Sequence, residues 1–304
     1  MEALQIEVKA VTPEDVREVS GVALSGYSTE QKAGDVGKGK ANPPVARQIP
    51  LAMLAGMFIA CGALFMEVVK ADSTLSFAVS QILGGLCFSL GLICVVVAGA
   101  ELFTGNSLMV IGAMEKKFSW GSLFKNWVVV WIFNFIGSLI IVFVVFFSGI
   151  GSMNDGGVAQ AMMNVAVSKV NLSWSAIFFR GIICNFLVCL AVWMGFCGKS
   201  VIDKIFTCIF PVMAFVAVGA EHCVANMFFL PMGLLMKDFG GIISTNANID
   251  LLNIGSVFFN ISAATVGNIV GGAIFVGMFY WWAYHKKAAK KAEAPIETSI
   301  EVSE

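Results

Sequence analysis

Long apolar runs alternate with short polar ones along most of the chain, and six of the apolar runs come near the length of about 20 residues that a bilayer-spanning helix needs. They are Ile49 to Glu67, Leu75 to Gly99, Trp127 to Gly151, Asn171 to Gly198, Ile205 to Ala220 and Asn253 to Tyr284. The second continues past Glu101 and the fifth past His222, so both carry an ionisable residue where lipid would make it costly. The pattern predicts an all-α membrane protein with six transmembrane helices, two of them broken. Ahead of the first run, Thr12-Pro13-Glu14-Asp15 reads as a helix start, with an N-cap, a proline at the first helical position and acidic residues in the first turn. Val16, Val19, Val22 and Ala23 give that short helix one apolar face, which suits a surface or interfacial position. The tail after Lys291 has no apolar period and is predicted to be disordered. The domain reading is therefore 1–45 for an N-terminal segment, 46–288 for the membrane domain and 289–304 for the tail.

The two broken helices repeat one another. Gly99-Ala100-Glu101-Leu102-Phe103-Thr104-Gly105-Asn106 aligns without gaps to Gly219-Ala220-Glu221-His222-Cys223-Val224-Ala225-Asn226. The third and sixth runs repeat as well, with Asn134 and Gly137 in one and Asn268 and Gly271 in the other. Three crossings per half invert the second half relative to the first, which predicts an inverted 3+3 repeat with both breaks near the midplane. Backbone groups freed at such breaks are tolerable only against protein or a water-filled cavity, so the breaks should line a conduction path.

Composition changes the picture mainly by exclusion. The 304 residues are 58% hydrophobic and only 13% charged, and their mean hydropathy is +0.84; soluble domains carry roughly a quarter charged residues. A net charge of −1 argues against a nucleic-acid partner. All eight cysteines fall in apolar stretches without a CxxC pair, and read as buried thiols. No HExxH, Walker loop or strand-linked GxGxxG is present, and two histidines cannot build a metal cluster of their own. An enzyme is not predicted, nor any cofactor. With six crossings, Arg47, Lys116, Lys117, Lys125, Lys199, Lys204, Lys286, Lys287, Lys290 and Lys291 share one side, and Lys70, Lys169, Arg180 and Lys237 the other. The excess places both termini in the cytoplasm of a multi-pass cell-membrane protein.

His222 titrates near neutrality when unperturbed, so inside an apolar crossing it reads as a proton relay or a donor to a weak-acid anion. Glu101 and Glu221 read as caps for the backbone donors freed at each break. Lys169 fits either a snorkelling anchor or a charge that concentrates anions at a mouth. Arg180, and His285 among Trp281, Trp282 and Tyr284, read as interfacial anchors. Asn134 and Asn268 are placed to tie the third and sixth helices to the broken elements.

These blocks resemble the formate/nitrite transporter family. The resemblance spans roughly residues 20–286. It rests on Ala98 to Thr104, on Lys125-Asn126-Trp127 with Asn134 and Gly137, and on Lys169 through Arg180-Gly181-Ile182 and Cys184-Asn185 to Trp193. Glu221-His222 with Ala225-Asn226-Met227, Pro231-Met232-Gly233, and Gly267 to Gly272 complete it. The resemblance implies a homopentamer whose protomers each hold an aquaporin-like pore for small monovalent anions such as formate, nitrite or hydrosulfide. It implies that His222 and Thr104 face the pore between two apolar constrictions, one matched by Leu92 and Phe215 and the other by Leu102 and Phe103. It further implies that Asn185, Asn226 and Asn268 are polar partners near the histidine, and that Lys169 attracts the anion. The rivals are a water or neutral-solute channel, for which the twin Asn-Pro-Ala signature is absent, and a non-conducting membrane scaffold.

Overall fold

The computed structural model describes residues 23–242 and 247–292, with side chains as far as His285. The helix predicted from Thr12 lies outside the described residues, and so does the tail beyond 292. Among the described residues every regular element is helical. In chain order they are α1 (Gly26–Ala41), α2 (Val45–Lys70), α3 (Phe77–Ala98), α4 (Gly105–Met114), α5 (Trp120–Ser148), α6 (Gly157–Val170), α7 (Trp174–Cys197), α8 (Val201–Ala217) and α9 (Cys223–Asp238). The last, α10, starts at Ile254, takes π geometry over Val270–Met278 and is described as far as Ala292. The boundary expected at residue 288 thus falls inside a helix.

Five of these helices are long and apolar enough to cross a membrane: α2, α3, α5, α7 and the Ile254–His285 part of α10. The fifth predicted run is shorter as a helix, 17 residues in α8, because the chain leaves helical geometry at Val218 and re-enters it at Cys223. Two elements were not anticipated. α1 is polar and interrupted by four glycines, yet it is capped by Ser25, whose side chain accepts the Ser28 N–H. α6 fills the connection between the third and fourth runs and carries Lys169 in its last turn.

Packing pairs the helices in two similar sets. α2 lies against α3 and α5, while α7 lies against α8 and α10, and α3 meets α8 between the sets. Glycines permit the closest approaches: a Cβ at Gly137 would run into the Met53 carbonyl of α2, and one at Gly271 into the Ile182 carbonyl of α7. Large apolar side chains project outward, Phe77 and Phe147 at 80% exposure, as suits an apolar solvent rather than water. The eight cysteines are free as expected, but burial holds for only Cys184, Cys189, Cys208 and Cys223; Cys61 is exposed on the helix surface.

Candidate functional site

Each broken helix ends at a glycine in left-handed geometry, Gly99 with φ +82° and Gly219 with φ +69°, a conformation that a Cβ would strain. The bonds around the two breaks match. Ala100 N–H donates to Val95 O and Glu101 N–H to Leu51 O; Ala220 N–H donates to Phe215 O and Glu221 N–H to Arg180 O. Asn134 accepts the Phe103 N–H at 2.9 Å and donates to Ala52 O and Glu101 O at 2.7 and 2.9 Å. Asn268 accepts the Cys223 N–H at 2.9 Å and donates to Gly181 O and Glu221 O at 2.8 and 2.9 Å. A break frees both N–H and C=O groups, and a carboxamide serves both where a carboxylate can only accept. The asparagines therefore cap the breaks.

Glu101 and Glu221 do not have the capping role expected of them. Glu101 accepts from Asn106 Nδ2 at 2.7 Å and lies 3.3 Å from the Lys40 ammonium. Glu221 accepts from Asn226 Nδ2 at 2.6 Å and from Lys169 at 2.8 Å. Each asparagine donates onward, Asn106 to Asn126 and Asn226 to Asn260. Asn126 and Asn260 then donate to the backbone carbonyls of Lys40 and Lys169. A lysine in the last turn of a short helix, a glutamate at the break and two asparagines thus close a ring in each half. Lys169 is consequently an ion-paired group and not a free charge, and its ammonium also stands 5.4 Å over the Phe229 ring. Lys40 is its counterpart; sequence reasoning missed it because only the tertiary pairing with Glu101 distinguishes it from Lys38 beside it.

One cavity borders each break, the first reaching Gly99 and Glu101 and the second Gly219 and Glu221. One, of 390 Å³ beside α1, is lined by Leu92 and Leu102 at its inner wall and by Lys32, Lys40, Arg47, Lys204 and Glu101. The other, of 630 Å³ beside α6, is lined by Phe88, Phe215 and His222 and by Lys70, Lys169, Arg180 and Glu221. Cations outnumber carboxylates in both, which favours anions over cations at either mouth. Arg180 stands at the rim of the second cavity, its guanidinium donating to Gly219 O.

His222, on the wall of the second cavity, meets Thr104, which lines neither, Nε2 to Oγ1 at 3.1 Å, both buried. His222 is also the N-cap of α9: its Nδ1 accepts the Ala225 N–H at 3.0 Å. That bond assigns the ring proton to Nε2, which then donates to Thr104. Phe215 stacks on the imidazole at 6.0 Å.

The expected constrictions regroup. Leu92 sits with Leu102 on the first cavity, while Phe215 faces the second with Phe88, their rings edge to face at 5.8 Å. Phe103 lines neither cavity and packs edge-on against Trp127. Phe88 was missed, although it lies one helical turn before Leu92 and so shares its face. Asn226 lines the second cavity but holds Glu221 rather than the imidazole, and Asn185 donates to the carbonyls of Thr104 and Asn268.

Comparison with known proteins agrees with this arrangement. Residues 28–282 match the family described as formate/nitrite transporter. The chain belongs to the formate/nitrite transporter family. Among its relatives in that family, the formate channel FocA of Escherichia coli (strain K12) is 36% identical over 260 residues, covering 83% of this chain and 91% of the relative. A probable formate transporter of Methanothermobacter thermautotrophicus is 38% identical over 270 residues, covering 82% and 92%. A solved pentameric formate channel with formate bound superposes with a TM-score of 0.72 at 39% identity, over 79% of this chain and 97% of that one. An ion channel of the same family gives 0.72 at 26% identity, over 84% and 98%. The protein is thus a multi-pass membrane protein, and its relatives are named as channels and transporters rather than enzymes.

Proposed function

We propose that this protein is a homopentameric formate channel of the cell membrane, in which formate crosses as the neutral acid. The observation that carries the reading is the pair of cation-rich cavities, one at each break, the first walled by Leu92 and Leu102 and the second by Phe88 and Phe215, with His222 on the second bonded to the buried Thr104. The pentamer and the cargo follow from the solved relative with formate bound and the relatives named formate channels. Six crossings in an inverted 3+3 repeat, with α3–α4 and α8–α9 as the broken ones and residues 46–288 as the channel domain, account for the matched bonds at the two breaks. With both termini cytoplasmic, the α1 cavity faces inward and the α6 cavity outward.

A bare anion passing apolar walls faces a desolvation cost of several kcal/mol, which a neutral acid avoids. In this mechanism formate enters beside Lys169, where a positive excess raises its local concentration. It takes a proton from water in the cavity, HCOO⁻ + H₃O⁺ giving HCOOH + H₂O, and crosses between the two walls. The His222 Nε2–H and the Thr104 hydroxyl hydrogen-bond the carboxyl oxygens at the narrowest point. Since Nδ1 is engaged by Ala225, the imidazole acts as a neutral donor that orients the carboxyl, and the proton is the one delivered by hydronium in the cavity. Lys40, Arg47 and Lys204 receive the released anion on the other side.

Uptake by proteoliposomes tests the reading. Formate should enter faster than nitrite or hydrosulfide, with a rate that climbs as external pH falls from about 8 to about 5. Dominance of nitrite or hydrosulfide would reassign the cargo, glycerol or water flux without anion flux would favour a neutral-solute channel, and no flux at all would leave a scaffold.

A further inference from the structure

A second cluster of ionisable groups lies away from the pathway, where α1, the turn after α4 and the end of α10 come together. Glu30 of α1 is fully buried, and while its Oε2 accepts from Gln31 Nε2 at 3.2 Å, its Oε1 is buried with no hydrogen-bond partner among the described residues. Glu115 is nearly as enclosed; Gln31 Nε2 reaches its Oε1 at 3.4 Å, and its Oε2 lies 3.0 Å from the Lys117 ammonium. His285 brings an imidazole to the same place, stacked on Trp281 at 4.5 Å. One ligand atom from each of Glu30, Glu115 and His285 lies within 4.8 Å of the other two.

Two carboxyls this close and this buried cannot both stand as bare anions. Burial first, and then the like charge of Glu115, pushes the Glu30 carboxyl up to about 8, against a weaker opposing pull from Lys117. Something positive has to stand between them. A shared proton would serve the two carboxyls but makes no use of the imidazole nitrogen that converges on them. A cation accounts for all three groups, and a set of two carboxylate oxygens and one imidazole nitrogen is suited to borderline divalent ions. Metal bonds of about 2.0–2.2 Å bring ligand atoms to about 3–3.5 Å apart, a closure that the flexible glutamate side chains can make. Among the described residues, Lys117 is the one ammonium paired into the cluster; it also holds Asp35 at 2.7 Å, so it keeps a counter-ion if a metal takes over its share of Glu115.

We propose that Glu30, Glu115 and His285 form a site for one divalent transition-metal ion of the zinc class, tying α1 to the turn behind the first broken helix and to the end of α10. α1 also carries Lys40, so the ion and the α1 cavity share a helix. These residues lie outside the pathway assigned above, and the site stands or falls independently of the transported anion.

The test is a calorimetric titration of the full-length protein in detergent, stripped with EDTA and then given Zn²⁺ alone or Mg²⁺ alone. One Zn²⁺ per chain should bind, Mg²⁺ should not, and Glu30→Gln, Glu115→Gln and His285→Ala should each weaken Zn²⁺ binding at least about tenfold. Each variant is first melted in EDTA, and any that fails to fold is replaced by Glu30→Asp or His285→Gln. Repeating the titration in buffers of different ionisation enthalpy should reveal release of a proton from the carboxyl pair as the metal enters. Zn²⁺ binding that survives His285→Ala and Glu30→Gln belongs to the cysteines or another site and overturns the proposal. Absence of Zn²⁺ binding overturns it too, and leaves the pair sharing a proton.

Discussion

Replacing Asn268 by alanine tests whether one carboxamide holds the second break together. The side chain is fully buried and makes three bonds, from the Cys223 N–H and to the carbonyls of Gly181 and Glu221, at 2.8 to 2.9 Å. Alanine leaves an amide hydrogen and two carbonyl oxygens in a region that excludes water. At about 1–3 kcal/mol for a buried group left unsatisfied, with the carbonyls toward the low end because each retains a second lone pair, the loss should total about 3–5 kcal/mol. For a chain of this size that lowers the melting temperature in detergent by about 6–15 °C. Asn134→Ala breaks the matching three bonds at the first break and should cost the same within about 1 kcal/mol. Asn268→Asp is the sharper variant, because it keeps the acceptor for Cys223 but turns a carboxylate oxygen toward two carbonyls. It should melt no higher than the alanine variant. If Asn268→Asp melted within about 2 °C of the wild type, the donor bonds would not be what closes the break.

Four other outcomes follow from the same geometry. Thr104→Val removes the hydroxyl beside His222 Nε2 and should slow formate uptake about tenfold with little change in melting; unaltered uptake would remove Thr104 from the pathway. Glu221→Gln strands the Lys169 ammonium at a cost of about 3–5 kcal/mol, and adding Lys169→Met should restore most of the stability but not the uptake rate. Glu67 is fully buried on α2 with neither oxygen hydrogen-bonded among the described residues, so Glu67→Met should raise the melting temperature by about 2–6 °C, and a lower value would reveal a partner. The folded-state carboxyl of Glu30, at about 8, lies above the ordinary 4.5. The folded protein therefore holds the extra proton, and Glu30 contributes fully below about pH 4.5 and progressively less as pH rises toward 8. In EDTA the wild type should lose about 5 kcal/mol relative to Glu30→Gln across that window, the rise of roughly 3.5 pH units taken at about 1.36 kcal/mol each, read from melts at each pH; parallel curves would place the proton elsewhere.

The breaks and their ties were legible in the sequence because a left-handed glycine, a glutamate and an asparagine recur in register, and because Asn134 and Asn268 recur beside packing glycines. What the repeat could not convey was the direction of the bonds. Glutamate and asparagine both accept, and only the three-dimensional arrangement shows that the freed carbonyls demand donors, which assigns the capping to the asparagines and leaves the glutamates to the lysines. α1 escaped notice because its glycines and polar residues mask a buried stripe of Thr29, Ala33 and Gly37 that exists only against its neighbours. α6 was too short to register as a crossing. Phe88 and Leu92 share a helix face, but their division between two cavities depends on where the breaks cut across that face. The cluster of Glu30, Glu115 and His285 joins three distant segments and has no local signature at all.

The imidazole of His222 meets Thr104 with one nitrogen and begins α9 with the other. A side chain with two such duties restricts what mutation can explore at this position. Substitutes that still cap a helix are short oxygen-bearing residues such as Asn, Asp, Ser and Thr, and none of them carries a second donor to the depth of Thr104. On the proposed pathway, loss of formate transport and loss of the helix start would therefore be inherited together in most single changes, and drift here would be checked twice. New cargo selectivity is more accessible at Phe88, Leu92, Leu102 or Phe215, whose side chains shape the walls and whose backbone bonds belong to the helix or loop regardless of the residue present.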